Sequence, residues 1–380
     1  RNILFLFFFF FYSLLLGQGN ALRFSDSLRI SLITGSPGTD LYAQFGHSVI
    51  RVVDYKYGTD LSFNYGTFDF DTPNFYWKFL RGKLNYTLSV SRTKAMIAHY
   101  TRDKRQLLEQ EILLSQREEE AVAAFLKENY LPQNRLYLYD FFYDNCATRI
   151  RDILEKEVKE FEYTAASEIE SYTFRQMLDL YIGKGSWTDF GMDLILGYPT
   201  DQLTDVRDQM FLPEYLAQNL KQHARKEGKI LLGDPKPLNQ VAVVAQKLNV
   251  LTSPMTVMSL IFIVGALLTF FANEKVKIWF DRLLFPILGL AGCLMLFLWF
   301  GTDHWTTTKN LNVIWANPLF LLFPFLKQRK WLAYLGMIAL IVILLGWFIL
   351  PQEFHLAFLP ILLLIGVRSG DRLDWLKFRK

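Results

Sequence analysis

The pattern of hydrophobic and polar positions divides the chain into two unlike halves. Up to about residue 250, short apolar stretches with strand and helix periodicity are separated by charged residues, which is typical of a soluble α+β domain. Beyond Pro254 the chain consists mostly of long apolar runs broken by short polar loops. We therefore predict a soluble domain over 22–250 and a transmembrane domain over 251–380.

Strands are expected early in the soluble half. A turn at Tyr57-Gly58-Thr59 separates two apolar stretches, which predicts that they form a hairpin. Alternation of Leu84, Tyr86 and Leu88 predicts a further strand. The four predicted strands cover Leu28–Ile33, His47–Val53, Leu61–Phe68 and Phe79–Val90.

Helices are expected to follow these strands. Ser115 and Glu118 form a capping-box pattern, which predicts a helix that reaches about Tyr130. A second helix is predicted from Cys146 to near Val158, and a shorter one over Phe174–Tyr181. The soluble half is therefore of the α+β class.

The second half contains five apolar segments, which predict a bundle of about five transmembrane helices: 255–272, 283–300, 311–326, 331–350 and 354–367. Prolines interrupt the third and the fifth, so these two helices are expected to be tilted or broken. Basic residues are concentrated in the loops 273–282 and 327–330 and in the tail, whereas the alternate loops carry almost none. Because basic loops stay in the cytoplasm, the soluble domain is predicted on the periplasmic side.

An apolar run over Ile3–Leu16 stands near the beginning of the chain. The run is shorter than the roughly 20 residues that a membrane-spanning helix needs. The small residues Gly19 and Ala21 follow it, as in a signal-peptidase site. A secretory signal peptide over 1–21 is therefore expected, in agreement with a periplasmic domain; the alternative is a membrane anchor.

Net charge and cysteine content further restrict what kind of protein this is. The 380 residues carry a formal net charge of +4, part of it in the loops beside the apolar runs. No nucleic-acid-binding motif is present, so the positive charge indicates a membrane protein rather than a nucleic-acid partner. Cys146 and Cys293 lie in different halves, which predicts no disulfide within the soluble domain.

Cys146 is the main candidate for chemistry. It begins a helix directly after Asn145, a residue type that caps helix N-termini well. Free N–H groups and the helix dipole favour an anion there, so we expect the thiol to ionise more easily than in water and to act as a nucleophile. The alternative is a buried cysteine that only fills space. Arg149, one turn further on, is a candidate for holding a substrate phosphate.

His47 is the candidate general base, because it follows a glycine at the entrance of a predicted strand. The alternative is a hydrogen-bonded structural histidine. A thiol–imidazole pair also needs a group that orients the other ring nitrogen. Asn64 on the neighbouring strand is the first choice, and Asp69 and Asp71 are alternatives because the strand register is open.

Other residues are expected to bind substrate. The backbone N–H of Cys146 is a natural oxyanion donor, with the side chain of Gln44 or Asn145 as a helper. Asp303 and His304 lie in the loop 301–310, on the same side as the soluble domain, and are candidates for a lipid headgroup site; the alternative is an ordinary interfacial loop. Neither metal-ligand spacing nor a phosphate-binding loop is evident, so no metal and no cofactor are expected.

The order of His47, a polar strand residue and a helix-leading Cys146 resembles the circularly permuted papain-like hydrolases, which include the NlpC/P60 and lecithin:retinol acyltransferase-like groups. More closely, the chain resembles the DUF4105 family of Bacteroidota. The segments that carry this resemblance are Phe45–Val52, Asn64–Gly66, Gly82–Tyr86, Asp144–Thr148, Thr302–His304, Asn310–Asn312 and Asn317-Pro318.

This resemblance implies a permuted papain-like periplasmic domain followed by a membrane bundle, and a lipoprotein N-acyltransferase of the bacterial inner membrane. It implies Cys146 as nucleophile and His47 as general base. The implied partners are a phospholipid acyl donor, a diacylglyceryl apolipoprotein acceptor and the lipid bilayer. A membrane-anchored cysteine peptidase or amidase and a non-catalytic membrane scaffold are the alternatives.

Overall fold

The computed structural model of the protein describes residues 22–40, 43–163, 170–241, 250–326 and 330–376. The expected signal peptide over 1–21 lies outside these residues. Residues 327–329 and 377–380 also lie outside the described residues. They belong to the basic loop and the basic tail from which the topology is predicted.

A seven-stranded antiparallel sheet organises the N-terminal half. The strands described are β1 Leu28–Gly35, β2 His47–Asp54, β3 Thr59–Thr67, β4 Asn85–Arg92, β5 Leu107–Glu111, β6 Leu136–Leu138, β7 Phe161–Tyr163, β8 Ala224–Lys226, β9 Lys229–Ile230 and β10 Lys236–Pro237. The large sheet has the order β10-β5-β1-β2-β3-β4-β6, and β7-β8-β9 form a small second sheet. The α+β class is therefore confirmed.

Helices cover both faces of the large sheet. Those of this half are α1 Phe75–Leu80, α2 Thr93–Arg102, α3 Gln116–Asn129, α4 Cys146–Glu157, α5 Phe174–Ile182, α6 Trp187–Ile195, α7 Val206–Gln209 and α8 Pro213–Gln222. Ile30 and Ile50 pack towards α4, whereas Ile33 and Val49 pack towards α2. Successive residues of a strand point to opposite faces, so β1 and β2 contribute to two cores.

Most of the predicted elements of this half are present. The strands near residues 28, 47 and 61 are confirmed, and the capping box of Ser115 and Glu118 does begin a helix. The strand predicted from Phe79 was wrong in its first part, because the chain forms α1 and then a turn before β4. Gly82 has a φ of 68° in that turn, a conformation that glycine adopts without strain.

The membrane half contains four described helices, α9 Pro254–Phe271, α10 Glu274–Gly301, α11 Lys330–Gly346 and α12 Phe358–Arg372. By length and composition, α9 and α10 can cross a membrane, and α11 is a shorter apolar helix. The third predicted span is broken, as its prolines led us to expect, and its residues form 3-10 turns over Leu311–Ile314 and Pro318–Leu322. Asn317 caps the second turn by accepting a hydrogen bond from the N–H of Leu319 at 3.0 Å.

These 3-10 turns lie directly against α10. A Cβ atom on Gly292 would overlap the carbonyl oxygen of Ala316, and one on Gly289 would lie 2.6 Å from the nitrogen of Leu321. Because α10 has glycine at these two positions, the backbone of the irregular segment can pack directly against the helix. Irregular backbone at membrane depth is tolerated where protein buries it in this way.

The two halves are joined by direct hydrogen bonds. The N–H of Gly197, after α6, donates to the carbonyl of Thr306 at 2.8 Å. The side-chain amide of Asn312 donates to the carbonyl of Asp193 at 2.8 Å. A Cβ on Gly197 would overlap the carbonyl oxygen of Thr308. The loop after α10 is therefore tightly fitted against the region around α6.

Candidate active site

Asn145 fixes the start of α4, the helix that Cys146 begins. Its Oδ1 accepts hydrogen bonds from the N–H groups of Ala147 at 2.8 Å and Thr148 at 2.9 Å. Its amide group donates to the carbonyls of Phe141 at 2.7 Å and Phe211 at 2.8 Å. The predicted N-cap is confirmed. These four bonds hold the side chain within the protein, and its contact with substrate stays a prediction.

The Cys146 thiol lies where β2 and β3 separate. The two strands are paired from Ile50 and Phe63 to the hairpin turn, and a register shift follows in β3 after Asn64. The sulfur accepts hydrogen bonds from the N–H of Ser48, at the open end of β2, and from N–H groups of its own helix start. The sulfur is thus held beside the residue that follows His47.

Gly66 lets the other strand approach the thiol. It has a φ of 83°. A Cβ there would lie 3.7 Å from the Cβ of Cys146 and 3.6 Å from the ring of Tyr139. The thiol therefore lies between Ser48 of β2 and Gly66 of β3.

His47 and Asn64 come together across β2 and β3, as the sequence predicts. Their side chains are hydrogen-bonded, and this bond favours the protonated imidazole. Desolvation has the larger effect, supported by the positive charge of Arg105, and together they lower the pKa of His47 to about 4. The imidazole is therefore neutral at pH 7 and able to accept a proton.

The thiol differs from the expectation of an acidic cysteine. Burial raises the pKa of Cys146 to about 11, although three backbone N–H groups act in the opposite direction. The helix terminus does stabilise the anion, but removal of the thiol from water costs more. The thiol of Cys146 and the imidazole of His47 are therefore both neutral at pH 7.

The remaining candidates for orienting His47 or binding the oxyanion lie in loops, outside the strands that flank the thiol. Asp69 and Asp71 are exposed in the loop after β3. Gln44 lies in the turn before β2, and its Oε1 atom is buried without a hydrogen-bond partner among the described residues. Phe45 packs on Phe141 at 5.0 Å between ring centroids, so this turn contacts the segment that leads into α4.

Arg149 is already engaged within the domain. Its Nη2 donates to Oδ2 of Asp144 at 2.7 Å, and its guanidinium lies 3.9 Å from the centroid of the Tyr137 ring. A contact between Arg149 and a substrate phosphate stays a prediction. A phosphate at Arg149 would compete with the carboxylate of Asp144.

Asp303 and His304 contact the segment around α1. The N–H of Asp303 donates to the carbonyl of Arg81 at 3.0 Å, and Nε2 of His304 lies 3.2 Å from the carbonyl oxygen of Phe79. The next residue, Trp305, packs on Tyr143 at 5.1 Å between ring centroids. The loop thus reaches from α1 to the segment before Cys146, and its role as a headgroup site stays a prediction.

Arg105 is a residue of this site that sequence reasoning missed. Its Nε donates to the carbonyl of Ser36 at 2.9 Å, and its guanidinium lies 4.5 Å from the centroid of the Tyr100 ring. Its charge contributes to the low pKa of His47. No local motif marks Arg105, since only the strand arrangement brings it towards His47.

A second polar cluster lies at the junction of the two halves. Potential metal-ligand atoms of Asp189, Asp193 and His355 lie within 4.8 Å of one another, and all three side chains are buried. Nδ1 of His355 accepts from the N–H of Ala357 at 2.9 Å, so the proton of a neutral ring is on Nε2, 3.3 Å from Asp189. This pattern fits a hydrogen-bonded pair better than a metal ligand, which needs a free nitrogen lone pair.

Comparison with protein-family models assigns both halves of the chain. The model described as the Lnb N-terminal periplasmic domain matches residues 24–179. The model described as the Lnb transmembrane domain matches residues 246–377. Comparisons with curated proteins and with solved structures give no match. The chain therefore belongs to the Lnb family of lipoprotein N-acyltransferases, as a membrane protein with a periplasmic domain.

Proposed function

We propose that this protein moves an acyl chain from a phospholipid to the α-amino group of the lipid-modified N-terminal cysteine of apolipoproteins, through a thioester on Cys146. The observation that carries the proposal is the Cys146 thiol beside Ser48, with the hydrogen-bonded pair of His47 and Asn64 on the strands that flank it. Family membership supports this choice of substrate class. In this proposal the domain is papain-like and lies at the inner membrane.

The first half-reaction transfers the acyl group to sulfur. As the sulfur of Cys146 attacks the ester carbonyl carbon, its proton passes to His47, which is neutral at pH 7 because desolvation lowers its pKa. The oxyanion is stabilised by the backbone N–H of Cys146, because the next two N–H groups of α4 donate to Asn145. The ester C–O bond then breaks, and His47 returns the proton to the departing oxygen of the lysophospholipid.

The second half-reaction releases the acyl group to nitrogen. The neutral α-amine of the apolipoprotein attacks the thioester carbonyl, and His47 takes one of its protons. The C–S bond breaks, the sulfur recovers that proton, and an amide is formed. Water competes with the amine for the thioester, so a desolvated thiol such as Cys146 favours transfer over hydrolysis.

Trapping the acyl-enzyme tests this proposal. We expect full-length protein incubated with phospholipid, without acceptor, to carry one fatty acyl group that hydroxylamine removes and that mass spectrometry assigns to Cys146. Cys293→Ser is the matched control, because it removes the other cysteine of the chain, on α10, and should leave the acyl group in place.

Cys146→Ser should abolish the hydroxylamine-labile acyl group. Purified apolipoprotein added to the trapped enzyme should gain an N-terminal acyl group in equal amount. Acyl transfer that persists in Cys146→Ser would contradict the proposal. Cleavage of a peptide or cell-wall amide without acyl transfer would favour the peptidase or amidase alternative.

A further inference from the structure

An aromatic surface at α1 has little protein cover. Tyr76 is 79% exposed, Trp77 and Phe79 are 53% exposed each, and Phe70 just before the helix is 63% exposed. Single exposed aromatic residues are ordinary on protein surfaces. Four within ten residues form a patch of the kind that marks an interaction site.

This surface lies beside the end of a membrane helix. The ring of Trp77 stacks on Phe297 of α10 with centroids 5.8 Å apart. Nε of Arg81 donates to the carbonyl of Gly301, the last residue of α10, at 3.2 Å. These contacts hold α1 beside the C-terminal end of α10.

Basic residues lie along α1 and the turn that follows it: Lys78, Arg81 and Lys83. Of these, Lys83 pairs with Asp303 of the loop after α10 at 3.7 Å. Tryptophan and tyrosine are enriched at membrane–water interfaces, where their rings lie among the headgroups. Basic side chains at the same level are attracted to lipid phosphates.

We propose that α1 is an interfacial helix whose exposed aromatic face is inserted in the periplasmic leaflet of the bilayer. Its partner is phospholipid, rather than a second copy of the chain or another protein. The continuity of Trp77 with Phe297 of α10 is the main reason for this choice, because a surface fixed to the end of a transmembrane helix meets lipid before any soluble partner.

The position of α1 also relates the bilayer to the thiol. A row of contacting rings leads from α1 towards Cys146: Phe75, Phe68, Tyr86 and Tyr139, with successive centroid separations of 5.7, 5.2 and 4.3 Å. A Cβ on Gly66 would lie within 4 Å of both Tyr139 and Cys146, which places the end of the row at the thiol. That this row guides the lipid donor rests on the function proposed above.

Photolabelling tests the membrane contact by itself. Full-length protein with p-benzoylphenylalanine in place of Tyr76 is placed in liposomes that contain tritiated phosphatidylethanolamine. The matched control carries the same residue in place of Tyr57, which is 54% exposed in the turn before β3. That turn lies at the opposite end of β3 from α1, about 25 Å away along the strand. We expect at least tenfold more lipid adduct at position 76.

Equal lipid labelling at the two positions would overturn the proposal. A crosslink from position 76 to a second copy of the chain, without lipid adduct, would also overturn it. The experiment is repeated with Cys146→Ser, in which we expect the same labelling because membrane contact does not need the thiol. Failure to trap a thioester would therefore leave the α1 proposal intact, and failure of labelling would leave the acyltransferase proposal intact.

Discussion

The side chain of Asn64 on β3 is hydrogen-bonded to the imidazole of His47 on β2, and this bond opposes the desolvation that lowers the pKa of the ring. The second bond of Asn64 runs from its amide to the carbonyl of Ser62 at 3.2 Å. The Asn64 side chain is thus anchored to its own strand while it contacts the imidazole. This arrangement suits a residue that orients the general base.

Asn64 gives the first prediction. Loss of one hydrogen bond is worth about 0.5–1.5 kcal/mol, so Asn64→Ala should lower kcat about two- to tenfold. Asn64→Asp should raise the pKa of His47, because a carboxylate favours the imidazolium, and the acid limb of the pH–rate profile should move to higher pH. Both effects are measured with purified enzyme in liposomes.

Asp69→Asn is the control for Asn64, because Asp69 is exposed in the loop after β3. We expect neither its kcat nor its acid limb to change. A larger decrease in kcat with Asp69→Asn than with Asn64→Ala would indicate that an aspartate of that loop, and not Asn64, orients His47.

The reactivity of Cys146 gives the second prediction. With a thiol pKa of about 11 and a His47 pKa of about 4, both groups are neutral between roughly pH 5 and pH 10. Alkylation by iodoacetamide should therefore be slow at pH 7 and rise steadily towards pH 11, since the thiolate is the nucleophile. The rate is measured by mass spectrometry in Cys293→Ser. A fast plateau between pH 5 and pH 8 would instead show a thiolate–imidazolium pair.

The same shift of His47 predicts a stability effect. Its folded-state pKa lies below its ordinary value of 6.5, so between about pH 4 and pH 6.5 the unfolded chain binds more protons than the folded one. The contribution of His47 to the free energy of unfolding should therefore fall as the pH decreases through this window. Thermal unfolding of the wild type and of His47→Gln at several pH values measures it, and a parallel pH dependence in the two proteins would contradict it.

Gly197 gives a prediction about the junction between the two halves. A Cβ there would overlap the carbonyl oxygen of Thr308, so Gly197→Ala must displace the loop or the segment after α6. Overpacking of this kind costs about 1–3 kcal/mol, which thermal unfolding in detergent would detect. Gly191→Ala on α6 is the matched control, because a Cβ there meets nothing within 4 Å. Equal unfolding temperatures for the two variants would contradict the prediction.

Arg175 gives the last prediction. It is 1% exposed and pairs with Asp193 at 2.6 Å and with Asp201 at 2.8 Å. Arg175→Leu would leave both carboxylates buried without their cation, at a cost of about 3–5 kcal/mol in the free energy of unfolding. Arg207→Ala is the control, because its side chain is 46% exposed and pairs with Glu155 at the surface, where such a bridge contributes about 0–1 kcal/mol. A similar decrease in the free energy of unfolding of both variants would contradict the prediction that the buried ion pairs of Arg175 matter more than a surface pair.

Local patterns in the sequence predicted much of the N-terminal half. Asn145 caps α4 because its side chain reaches N–H groups two and three residues ahead, and such contacts need no distant residue. The hairpin of β2 and β3 likewise follows from a local signal, the turn at Tyr57-Gly58-Thr59 between two apolar stretches. The third membrane segment is broken, as its prolines predicted, but hydropathy does not reveal that glycines on α10 admit the backbone of this segment.

The sequence by itself determined the order of the elements, the position of Cys146 at a helix start and the residues that resemble the Lnb family. Only the tertiary structure decided that Asn64 contacts His47, because a one-residue slip in strand register would turn that side chain to the opposite face. The tertiary structure also decided the protonation of the thiol. The pKa of a thiol depends on how far the surrounding chain excludes water from it. Here burial raises the pKa of Cys146 more than the N–H groups of the helix start lower it.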